Sequence, residues 1–180
     1  ITQTAAVEGV NGPVPPEMER RITCVYSRPE MKATLDRYGV QFSSYGASGR
    51  RGPTIAMALV TIAHFQHPDL EMFRMGAMAP MYPFVTAKNE QVGIPRDHRS
   101  FYDIMRRLNA MFNLDIDLAE LEIRGRNESQ VLQEQLDKIS DTNAEAKRII
   151  DGVRTDYKFT PFEIPVELDP SLDKTLDDIL

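Results

Sequence analysis

The stretch PDLEMFRMGAMAPMYP (68–83) lies between two segments of helical character and decides how the middle of the chain is read. It begins after His67 and ends with Pro80 and Pro83. A proline lacks the helix donor, and its ring clashes with the preceding turn. The spacing therefore predicts at most a short helix over 68–79 and irregular chain over 84–95. Met72, Met75, Met78 and Met81 recur every third residue, and thioethers favour Cu(I). Gly76 and the prolines interrupt any sustained helix there, and methionine commonly fills gaps in cores.

Upstream, TIAMALVTIAHF (54–65) is apolar almost all round, the pattern of a centrally buried helix. The loop SSYGASGRRGP (43–53) brings Pro53 to its first turn. SRPEMKATLDRYG (27–39) predicts a helix capped by Ser27 and Glu30 and closed by Gly39. Residues 1–16, ITQTAAVEGVNGPVPP, show no useful period and read as an extended arm.

Downstream, DHRSFYDIMRRLNAMF (97–112) places Phe101, Ile104, Met105, Leu108 and Phe112 on one helix face. A shorter helix over about 115–123 is expected to end at Arg124-Gly125-Arg126. From Leu132 to Tyr157, apolar positions step by four and three, a heptad repeat with Asn143 in the seam. Asn143 then either fixes the register of an intermolecular coil or bonds locally within a helix packed in its own bundle. The tail FEIPVEL (162–168) alternates Phe162, Ile164, Val166 and Leu168 against polar positions. Leu172, Leu176 and Ile179 then form a short helical stripe. Neither piece is long enough to be stable by itself, so both are expected to dock, with adjacent molecules as the expected surface.

Together these elements predict a mainly α protein, an irregular helical bundle with a long C-terminal heptad helix and extended N- and C-terminal arms. The expected divisions are an arm over 1–16, a helical core over 17–126, the heptad helix over 127–158 and a docking arm over 159–180.

Charge is segregated along the chain. Residues 1–19 carry −3, residues 20–112 carry +6 and residues 113–180 carry −9, for a net −6. A basic middle between acidic ends favours head-to-tail association, phosphate binding, or both. Arginine pairs recur in that middle, and guanidinium forks match phosphate oxygens. Arg50, Arg51, Arg106 and Arg107 are the expected phosphate contacts.

No apolar run reaches the length of a membrane span. No basic-then-apolar leader is visible, so secretion by a visible signal is not expected. The chain opens on Ile, which suggests a processed product or a fragment. The single cysteine, Cys24, permits no internal disulfide. A cytoplasmic setting, or one within an assembled particle, is expected.

Catalytic signatures are weak. His64-x-x-His67 with Asp69 or Glu71 is the nearest approach to a metal set, but Phe65 stands where a zinc-protease helix needs Glu. GASGRRGPT (46–54) lacks the lysine and spacing of a phosphate-binding loop. The pattern points first to a non-enzymatic structural subunit of a repetitive assembly, a coat or nucleocapsid type. Copies of itself and single-stranded nucleic acid are its expected partners, with no cofactor. The alternative is a helical adaptor or scaffold in a hetero-complex of secretion or chaperone type, without nucleic acid. A metal-dependent enzyme is a distant third.

Overall fold

The computed structural model describes residues 3–43, 54–86 and 88–163. Its elements are β1 (Gln3–Gly12), β2 (Ile22–Tyr26), α1 (Met31–Asp36), β3 (Gln41–Phe42), α2 (Ile55–Gln66), β4 (Glu71–Val85), β5 (Gln91–Gly93), α3 (His98–Phe112), α4 (Ala119–Thr142) and α5 (Ala144–Asp156). The expected mainly α bundle is thereby corrected to an α/β fold around a mixed sheet. The strands run in the order β1-β4-β2-β3, with β5 also paired to β4.

The correction turns on β4, the 15-residue strand in the methionine-rich stretch. Met72 to Ala77 are buried without a break, because helices cover both faces of the sheet here. A strand buried on both faces has no polar alternation to reveal it. Phe73, Met75 and Ala77 face Met31 and Leu35 of α1 and Ile104 and Leu108 of α3. Met72 faces the other way, against Val60 and Ala63 of α2. Pro80 and Pro83 fall at and beyond the end of the pairing with β1, where β5 is the remaining partner of β4. A strand with one free edge has room for residues that cannot donate.

The supposed N-terminal arm is β1, which runs parallel to β4 from Gln3↔Glu71 to Gly12↔Pro80. On its other side β4 pairs antiparallel with β2. Partners nearly seventy residues apart leave no local periodicity to read.

The heptad helix is also corrected. It breaks at Asn143, whose extended backbone (φ −138°, ψ 103°) ends α4. The Asn143 side chain then caps α5, accepting from the N–H groups of Glu145 and Ala146, each at 3.0 Å. Arg154 of α5 approaches Asp137 of α4 at 3.8 Å, so α5 folds back along α4. Leu132, Leu136 and Ile150, three of the seam residues, pack with Tyr82, Val92 and Ile94 beside β5. The seam is filled from within the chain, and no coiled coil is formed by it.

Candidate functional site

Buried polar contacts from distant parts of the chain meet where α3 begins. The chain between β1 and β2 brings Glu19 and Arg20 under this helix. Arg20 is wholly buried. Its Nε donates to Asp97 at 2.7 Å, and its Nη1 donates to the carbonyls of Pro15, Pro16 and Met18. Ser100 donates to the same Asp97 carboxylate at 2.5 Å. One turn further along α3, Asp103 accepts from the Arg20 backbone N–H at 2.8 Å and from Arg99 Nε at 3.1 Å. Its other oxygen has no hydrogen-bond partner. Burial raises the Asp103 pKa, against the opposing pull of Arg99, the Arg20 N–H and Arg106.

Two expected phosphate ligands lie in this knot. Arg107 is fully buried. It donates to Glu19 and to the Tyr38 carbonyl, each at 2.7 Å, and to the carbonyls of Asp103 and Gly39. Burial lowers its pKa, and the hydrogen bond and charge of Glu19 oppose that shift. Arg106 pairs with the same Glu19 at 2.5 Å. Both guanidinia lie over the ring of Phe162, at 5.4 and 5.1 Å. Arg50 and Arg51 lie outside the described residues.

The expected docking residues divide in the same way. Phe162 is buried against Tyr38 on the chain's own body. The preceding residues form a strap across the end of α1. Gly39 sits at φ +59°, and a Cβ there would meet the Pro161 carbonyl oxygen at 2.6 Å. Only glycine suits that backbone and that approach. Asn143 is exposed, as the cap already described. Ile164, Val166, Leu168, Leu172, Leu176 and Ile179 lie outside the described residues.

The candidate metal set does not assemble. His64 Nδ1 meets the Ser27 carbonyl at 2.7 Å. Among the described residues, no three metal-ligating side chains converge. Burial pushes the Cys24 thiol up to about 12, with Arg74 opposing, so it stays protonated near neutrality.

Two surface features were not foreseen as sites. The first is an open groove of about 550 Å³ between the segment entering α3 and helix α4. Ile94, Pro95, Val131 and Leu132 supply apolar walls, and Arg96 and Glu128 stand at its rim. Glu128 is held by the His98 backbone N–H at 3.0 Å and the His98 ring at 2.5 Å. The second is the outer side of α2, where Ile55, Leu59, Ile62 and Phe65 are 83%, 44%, 42% and 77% exposed. Its signal was the uniform apolarity of the helix, which reads as complete burial. The buried knot had no signal beyond isolated charges far apart in sequence.

No family model and no curated protein matches this chain. Solved structures match its fold. A protein of unknown function from Mycobacterium tuberculosis matches with a TM-score of 0.59 and 15% identity, over 100% of this chain and 50% of that one. PbaB of Pyrococcus furiosus, described as an archaeal proteasome activator, matches with a TM-score of 0.52 and 12% identity, over 74% and 50%. A PAC2 family protein from Streptomyces avermitilis matches with a TM-score of 0.51 and 18% identity, over 81% and 53%. The chain spans about half the length of each of these structures. At such identities the likeness defines a class of fold, the α/β architecture these proteins share. It overturns the expectation of a coat or nucleocapsid protein, which rested on a mostly helical body that exchanges its arms with neighbours and holds phosphate with its arginines. Among the described residues, no helix is long and apolar enough to cross a membrane.

Proposed function

We propose that this chain is a non-enzymatic adaptor or scaffold subunit of a hetero-complex, of the chaperone or activator kind that serves a proteasome-like protease. The observation that carries this reading is the mixed-sheet fold shared with PbaB, an archaeal proteasome activator. The surface supports it. The charges of Arg20, Asp97, Asp103 and Arg107 are spent inside the molecule, while large apolar side chains stand exposed on α2, α3 and α4. A surface of that kind is suited to binding protein. Copies of the chain itself are further proposed partners.

The test is direct binding to the purified core protease of the source cell, followed by native electrophoresis and mass spectrometry of the shifted band. A stoichiometric complex containing the core subunits and this chain is expected. Failure to bind the core particle and its half-assembled precursors, with the chain folded, would refute this function.

A further inference from the structure

Among the described residues, nothing packs on the outer side of α2 or pairs with the outer edge of β1. Helix α2 carries no Asp, Glu, Lys or Arg in its 12 residues, although the chain is net −6. Ala56, Val60 and Ala63 turn inward to the sheet. Ile55, Leu59, Ile62 and Phe65 form an exposed stripe along one flank of the helix. Their exposed area is roughly 450 Å², within the range of the largest patch on a typical monomer, which is often functional.

Beside this helix, β1 is a ten-residue edge strand. Among the described residues, no strand pairs with its outer side. Edge strands are normally protected by lysine, proline, a bulge or extreme shortness. Sequence QTAAVEGVNG contains no lysine and no proline, and its pairing with β4 runs without a bulge. Its one ionisable residue, Glu8, points to the α2 side. There it is bound by Arg74 Nη2 at 2.5 Å and by the Thr54 hydroxyl at 3.0 Å. On the other face Val7 is 53% exposed, and nothing stands within 4 Å of a Cβ built on Gly9.

We propose that this surface is a homodimer interface, in which β1 pairs antiparallel with β1 of a second copy about a two-fold axis. The two α2 helices then lie side by side on one face of a continuous sheet. The occupant follows from the charge. An isologous contact sets a patch against its own copy, so a patch carrying one sign of charge would repel itself. Here the helix carries no Asp, Glu, Lys or Arg, and the only carboxylate of the strand is already paired with Arg74. Antiparallel α2 helices also oppose their dipoles. Two edge strands and two apolar stripes bury on the order of 1,000–1,500 Å² in total, the size at which specific interfaces begin. The proposal does not depend on a proteasome-like partner.

The test is the molar mass of the purified chain by light scattering and sedimentation at micromolar concentration. The wild type is expected to be a dimer. Ile62→Glu and Ile62→Lys are each expected to be monomers with unchanged circular dichroism, and their equimolar mixture is expected to recover the dimer. Should the Ile62 variants misfold, Phe65→Glu with Phe65→Lys makes the same test further out on the stripe. A monomeric wild type would overturn the proposal. So would a dimer indifferent to these substitutions, or opposite charges that fail to restore it.

Discussion

The two sides of the sheet invert the usual arrangement. Under α3, Arg20, Asp97, Asp103 and Arg107 are almost completely removed from water. On α2, across the sheet, Ile55 and Phe65 stand in it. Burying an ion is costly unless it is paired and hydrogen-bonded. The α3 side meets that condition for Arg20, Asp97 and Arg107 by drawing on distant parts of the chain: the β1–β2 connection, the end of α1 and the strap at Thr160. It leaves one oxygen of Asp103 only the 3.5 Å approach of Arg106 Nε. Among the described residues, the α2 side makes no such closure. The contrast teaches that the α3 side is closed by the chain's own distant segments, whereas the α2 side leaves an apolar stripe open among the described residues.

The largest effect is expected from Arg20→Met. It leaves Asp97 buried without its main counterion and the carbonyls of Pro16 and Met18 without this donor. A loss of about 3–5 kcal/mol is expected in urea unfolding. A loss below about 1 kcal/mol would mean that the knot is not closed as described.

A smaller loss is expected from Gly125→Ala, which sharpens the same comparison at the α3–α4 contact. A Cβ there would meet the Arg99 backbone N at 2.6 Å. The two helices must part, at about 1–3 kcal/mol by thermal or urea melts. An unchanged stability would show that α4 does not sit against α3 at this glycine.

The smallest effect is a pH dependence. Burial first, against the opposing guanidinia, raises the Asp103 pKa above its ordinary value of 3.8. A carboxyl raised on folding favours the fold when protonated. Its contribution is full below the ordinary value and is lost as pH rises through the folded value. Measured against Asp103→Asn, which does not titrate, the wild type is expected to lose relative stability as the pH climbs from about 4 towards neutrality. A relative gain would mean that Arg99 and Arg106 overcome burial at this site.

The sequence announces the local elements of this fold and hides the distant ones. Helix α3 is read almost to the residue, because Phe101, Ile104, Met105 and Leu108 repeat with the helical period. Helix α2 is found, but its uniform apolarity cannot say which side faces the sheet and which is left open. Of the heptad positions from Leu132 to Tyr157, Leu132, Leu136, Ala146 and Ile150 are buried, whereas Asn143 is exposed. The heptad steps do not show that Asn143, a strong helix cap, turns the chain back on itself. Strand β4 is hidden because both of its faces are buried, and β1 because its partner is nearly seventy residues away. The arginines were visible as pairs, but Arg106 and Arg107 read as free forks until Glu19 is placed under them by the fold.

Hydrogen–deuterium exchange of the whole chain across a dilution series tests the contrast most directly. The segments around Arg20 and along α3 are expected to stay protected at every concentration. Strand β1 and helix α2 are expected to gain protection together as concentration rises. Protection of β1 and α2 that never changes with concentration, or loss of protection around Arg20 on dilution, would contradict it.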